Sequence, residues 1–244
     1  MPSMKYPVEI KVNVAGPVAD ALAALDLDGG SDRRIWFLED LTPGLPPLPL
    51  YNAGVVLRLR SGKSDDSTVK LRPCRRTQLT PGWADGFKGG NRFEYRVEAD
   101  WAGPRRSLAA SAVLELDSGL IDAVAVEGAD PDILFNRKQQ EFIRDCADLR
   151  IALGGLTPLG PVWAMKWKNI TVGEFGTNIE RWTAGDLDFL EVSYRSESGA
   201  EQQQLRLEAA LRALGVAIDD DRESKTRRVL AELARMASQT ANGE

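Results

Sequence analysis

The sequence predicts an α+β protein: eight antiparallel strands forming a closed or nearly closed β-barrel, with helices packed outside. Several segments alternate apolar and charged residues at a period of two, the pattern of a strand with two unlike faces. The polar positions are overwhelmingly charged, whereas a solvated sheet face usually mixes in Thr, Ser, Gln and Asn. Eight strand-like segments suffice to close a barrel, whose inner face repeats with the same period.

Taken in order, "KYPVEIKVNV" (residues 5–14) is the first strand, with Glu9, Lys11 and Asn13 on one face and Ile10, Val12 and Val14 on the other. "GPVADALAALDL" (16–27) reads as a helix with Pro17 near its first turn. "RRIWFLED" (33–40) is the second strand, and the proline-rich 41–54 is a loop. "VVLRLRSG" (55–62) and "STVKLRP" (67–73) are strands three and four, placing Arg58 with Arg60 and Lys70 with Arg72. A glycine-rich connection (80–90) leads to "NRFEYRVEAD" (91–100), the fifth strand, where Arg92, Glu94, Arg96, Glu98 and Asp100 alternate with Phe93, Tyr95, Val97 and Ala99.

Residues 131–150 have helical spacing, with Leu134, Ile143 and Ala147 on one side. "PVWAMKWKNITV" (161–172) is the sixth strand and carries Lys166 and Lys168 on one face. "NIERWTA" (178–184) and "DFLEVSYRS" (188–196) are the last two, the final one setting Glu191, Ser193 and Arg195 against Leu190, Val192 and Tyr194. Two helices follow from Glu201 to about Ser238, then a short flexible tail. With no strong repeat and no clean linker, residues 1–244 read as one domain.

Composition narrows the chemistry. The 244 residues contain no histidine, which removes a Ser-His-Asp triad, a zinc-binding HExxH helix and a histidine base. Cys74 and Cys146 give neither a disulfide framework nor metal-ligand spacing. A net charge of -5 argues against nucleic acid as the partner. No apolar run is long enough to span a bilayer and no signal-peptide core is visible, so a cytoplasmic protein without membrane association is expected. Gly62-Lys63-Ser64 lacks the upstream glycine of a phosphate-binding loop, since Leu57 stands there, and reads as a hairpin turn. Phe135, Phe142, Trp163 and Trp167 read as packing residues, and Arg92 and Asp100, at strand ends, as surface residues.

A barrel interior full of charge is costly unless the charges pair or meet a ligand. Lys11, Arg58, Arg60, Lys70, Arg72, Arg96, Lys166 and Lys168 are suited to phosphate oxygens. Interleaved Glu9, Glu94, Glu98 and Glu191 are suited to Mg²⁺ or Mn²⁺. Which cations and acids pair simply with one another is left open at this point.

The order of these segments resembles the CYTH group of the triphosphate tunnel metalloenzyme superfamily, which includes thiamine triphosphatases, inorganic triphosphatases and class IV adenylate cyclases. Its E-x-E-x-K strand is matched by "PVEIK" through Glu9 and Lys11, with Pro7 in the first acidic place. Its "LRLR" strand matches Leu57–Arg60, its lysine strand Lys70, and its R-x-E-x-E-type strand resembles "RFEYRVE". Its late acidic pair is approximated by "FLEVSYR", where Glu191 is present and Ser193 replaces the second acid. The resemblance also implies an isolated acidic metal ligand at Glu180 and a C-terminal phosphate-contacting lysine at Lys225. It implies a basic tunnel that binds inorganic triphosphate, thiamine triphosphate or a nucleotide with Mg²⁺ or Mn²⁺, and that hydrolyses a phosphoanhydride bond or cyclises ATP. The two missing carboxylates favour a rival expectation, a polyphosphate- or nucleotide-binding module with little turnover. A structural domain with a pseudo-tunnel is the third reading. Neither the organic group of the ligand, the catalytic residue nor the oligomeric state is legible.

Overall fold

The computed structural model describes residues 6–42, 48–85, 88–219 and 224–242. Lys5, residues 43–47 of the proline-rich loop, Gly86 and Phe87 of the glycine-rich connection, and the last two residues of the expected tail lie outside them. The elements run β1 (Val8–Asn13), α1 (Val18–Ala24), β2 (Ser31–Glu39), α2 (Pro49–Asn52), β3 (Val55–Gly62), β4 (Asp65–Leu71), α3 (Pro81–Ala84), β5 (Lys88–Gly90), β6 (Phe93–Ala102) and β7 (Arg105–Leu116). They continue with α4 (Leu120–Ala125), α5 (Arg137–Cys146), β8 (Thr157–Val172), β9 (Phe175–Ala184), β10 (Leu187–Ser196), α6 (Ala200–Ala213) and α7 (Lys225–Asn242).

Nine strands close into a barrel in the order β1-β10-β9-β8-β2-β3-β4-β7-β6, and β6 pairs back to β1; the three-residue β5 adds to β6. The expected count was eight, and the strand without a counterpart in that expectation is β7. Its inward positions hold Ser107, Ala109, Ser111 and Val113, opposite Asp100, Glu98, Arg96 and Glu94 of β6. Small neutral residues give no charge alternation, and alanine has a weak strand preference. The ninth strand also corrects the all-antiparallel expectation. A closed ring with an odd number of strands cannot alternate direction throughout, and the parallel pair falls at β1–β6. Closure removes every edge of the main ring.

The outward faces build the core. On β6, Phe93, Tyr95 and Val97 are buried, and Tyr95 forms an aromatic cluster with Trp83 and Phe142 at centroid distances of 5.0 and 5.2 Å. The helix expected across 131–150 is shorter: a 3₁₀ turn spans Pro131–Leu134, and Asn136 then caps α5 by accepting the Gln139 backbone N–H at 2.9 Å. The Gln139 amide donates to the Ser67 and Ala112 carbonyls at 3.1 and 3.2 Å, pinning α5 to β4 and β7. α1 and α6 pack outside on β1, β8, β9 and β10 through Ala21, Leu207 and Leu211.

α7 departs from the expected outer packing. Its stripe of Val229, Leu230, Leu233 and Ala234 packs with Ile35, Phe37, Val56 and Trp182. Those four share the inward face of their strands with Arg60, Arg58, Lys70 and Phe189 across the sheet, so α7 closes one end of the barrel. It also runs past the expected boundary near Ser238. Phe135, Phe142 and Trp167 are buried as expected, but Trp163 is 59% exposed and is not a packing residue.

Candidate functional site: the barrel lumen

The period-two pattern brings side chains from all nine strands of the barrel and the first turn of α7 into one cavity of about 160 Å³, room for on the order of ten waters. Arg58, Arg60, Lys70 and Lys166 share it, together with Lys11, Arg72, Arg96 and Lys225. Glu9, Glu98, Glu180 and Glu191 share it too. Two expected members do not line it. Lys168 is exposed, because β8 bulges between Trp167 and Ile170 and Asn169 turns into the left-handed region at φ +56°, so parity no longer aims residue 168 inward. Glu94 lies at the end away from α7, half exposed, with its carboxylate 3.3 Å from Arg96.

Asp100 is the largest correction. Read from the sequence as a surface residue, it is 1% exposed. Its Oδ2 lies 3.0 Å from Lys11 Nζ, 3.6 Å from Lys70 Nζ and 3.0 Å from Arg72. Burial works to raise the Asp100 pKa, but Lys11, Lys70 and Arg72 together hold it well below the ordinary carboxylate range. The same pairing keeps Lys11 above its ordinary value despite burial, through Asp100, Glu9 and Glu191. Arg92 is a surface residue as expected, paired with Asp117 at 2.9 Å.

The sequence reading also missed Asp66, whose carboxylate grips Arg60 Nε at 2.9 and 3.1 Å. Arg105 at the start of β7 lines the cavity as well. Asp100 already stood in the charge alternation, but its place near a strand end read as surface until β1 was seen to cover it; Arg105 begins β7, a strand whose lumen face shows no charge alternation.

Every lumen carboxylate has a cation. Glu9 pairs with Lys11 at 3.2 Å, Glu98 with Lys70 at 3.4 Å, Glu180 with Lys166 at 2.6 Å and Glu191 with Lys225 at 3.1 Å. The converse fails. Nine cations and four carboxylates line the cavity, and adding Asp66 and Asp100, which pair with lining residues, still leaves three positive charges in excess. Arg58 shows where the excess falls: its Nε is buried without a hydrogen-bond partner, and it makes no ion pair among the described residues. Burial and the neighbouring Arg60 push its pKa down to about 9, so the group stays cationic at neutral pH. Burial and Lys11 likewise depress Lys70 despite its acidic partners.

Mg²⁺ and Mn²⁺ need several converging oxygens. Among the described residues no three acidic, histidine or cysteine side chains converge in that way. Pro7 offers no side-chain oxygen, and the Ser193 hydroxyl donates to the Asn178 carbonyl at 3.3 Å. The residues present do not fit the expected ion.

Against solved structures, the chain superposes over 91% of its length on 93% of a Hippeastrum protein described as a candidate adenylyl cyclase with a dominant triphosphatase activity, with a TM-score of 0.60 and 16% identity. A candidate adenylate cyclase from Bacillus halodurans matches over 92% of this chain and 97% of its own, with a TM-score of 0.58 and 12% identity. The chain shares the closed β-barrel tunnel fold of these CYTH-type proteins. At these identities the likeness concerns the fold alone. No protein-family model and no curated protein matches the sequence. Among the described residues no helix is long and apolar enough to cross a membrane.

Proposed function

We propose that the tunnel binds a small molecule bearing a triphosphate group, with little hydrolysis. The observation that carries this reading is Arg58, a half-buried cation whose Nε is sealed from solvent without a hydrogen-bond partner and which makes no ion pair among the described residues, in a lumen already rich in cations. Burying an unpaired charge costs free energy that an anionic ligand returns. Each charge-assisted hydrogen bond to phosphate contributes roughly 1.5–3 kcal/mol. The first turn of α7 adds the positive end of a helix dipole at the closed end, where Ser224, Lys225 and Thr226 line the cavity. The organic group would sit toward the opposite end, near Arg60 and Arg96; inorganic triphosphate, thiamine triphosphate and nucleotides all share the chemistry the lumen reads.

Hydrolysis needs aligned water and neutralised leaving-group charge, and the carboxylates that would serve are engaged by lysines. A second reading, a triphosphatase or adenylate cyclase-like enzyme, is favoured by what the Hippeastrum protein is described as doing. Inorganic tripolyphosphate should raise the melting temperature, and added salt should shrink the shift by screening. Phosphate release with Mg²⁺ or Mn²⁺ at an ordinary enzymatic rate of roughly 1–10³ per second would favour the enzyme. The absence of any shift would remove the triphosphate reading.

A further inference from the structure

Glu180 and Glu191 stand opposite each other in register on β9 and β10, and both face the cavity. Two adjacent buried carboxylates repel unless a cation lies between them. The fold delivers one from α7. The Lys225 side chain is 9% exposed, its Nζ lies 3.1 Å from Glu191 Oε1, and it sits 4.1 Å over the Trp182 ring. Glu180, the other member of the pair, is held by Lys166 at 2.6 Å, so two lysines rather than a metal neutralise the two acids.

We propose that the Lys225 ammonium takes the place between Glu180 and Glu191 that a divalent cation would otherwise fill, so that this tunnel binds its polyphosphate without a metal. The second half of that statement rests on the triphosphate reading above; the first half concerns the unliganded protein. A divalent ion entering here would have to displace Lys225 and would lie beside Lys166, itself 2.6 Å from Glu180. The ammonium can use its three donors on the carboxylate and on an arriving phosphate at once. The helix that closes the tunnel thus also carries its counter-ion, fixed by Arg72 donating to the Thr226 hydroxyl at 2.7 Å.

The probe is Mn²⁺ alone, with free ion read by electron paramagnetic resonance. Wild-type protein is expected to bind none below about 1 mM. Lys225→Met should gain one site, and Lys225→Met with Glu191→Gln should lose it again. Tight Mn²⁺ binding by the wild type overturns the proposal, as does a folded Lys225→Met protein that gains no site. Lys225→Gln serves as the second variant should the methionine protein not fold. Calorimetry with tripolyphosphate gives an arm that needs no variant. Stripping with EDTA should leave Kd unchanged within about twofold, and added Mn²⁺ should only weaken binding by competing for phosphate. Tightening by about tenfold or more on adding Mn²⁺ overturns the proposal. Failure of tripolyphosphate to bind under either condition would instead remove the triphosphate reading, and the Mn²⁺ titrations would still decide the role of Lys225.

Discussion

The two walls of the lumen are charged differently. On the β3–β4–β6 wall, Arg58, Arg60, Lys70, Arg72 and Arg96 face Asp66, Glu94, Glu98 and Asp100, and Asp100 is shared with Lys11 as well. On the β8–β9–β10 wall, closed by α7, Lys166 and Lys225 face Glu180 and Glu191 one to one. The second wall neutralises itself; the first keeps a positive surplus that the protein does not satisfy internally. Both are made by the same period-two pattern, so parity builds the tunnel while the ratio of partners decides which wall receives a ligand.

Removing the carboxylate that three cations share should have the largest effect. Asp100→Asn leaves Lys11, Lys70 and Arg72 with one partner fewer in a buried place, costing about 3–5 kcal/mol, or about 10 °C in melting temperature. Calorimetric melting checks this, and a change of a degree or two would show that the first wall is less strained than its charge count implies. The same residue fixes the acid limb. Its folded pKa is depressed, so its stabilisation is present above the ordinary carboxylate value of about 3.9 and is lost as pH falls below it. Wild-type stability should therefore drop in that acidic window, and the Asp100→Asn profile should be flatter there.

Arg58→Met comes next and acts with opposite signs on two readouts. It removes an uncompensated buried charge, so the unliganded protein should melt higher, by about 2–4 °C for each kcal/mol recovered. Tripolyphosphate affinity should fall roughly 10- to 100-fold, the equivalent of one charge-assisted contact. A variant that is less stable in the absence of ligand would break the contrast between the walls. The smallest effect belongs to Lys168, which the β8 bulge leaves outside the cavity: Lys168→Ala should change affinity by less than about twofold. A larger loss would place that lysine back among the phosphate contacts.

Much of this was legible in the chain. The inward parity of Glu9 with Lys11, of Arg58 with Arg60, and of Arg96 with Glu98 follows from strand alternation alone, and the tunnel with it. Three features were not legible for identifiable reasons. β7 shows the lumen small neutral residues, so a search for charged faces passes over it. Lys168 obeys parity in sequence and escapes it through a bulge at Asn169, a backbone event without a strong residue signature. Asp100 sits at the end of an antiparallel hairpin strand but is covered by β1, because the ring closes there in parallel. That pairing is long-range and cannot be read from local pattern. The partners of each carboxylate were equally hidden, since they depend on which strands become neighbours.

The central claim is that the positive surplus around Arg58 is a polyphosphate site. Isothermal titration of tripolyphosphate into wild-type and Arg58→Met protein, at low and high salt, tests it most directly. The account predicts saturable binding by the wild type, weakened by salt, and a loss of about tenfold or more in the variant. Equal affinity in the two proteins, or no saturable binding by the wild type at low salt, would contradict it.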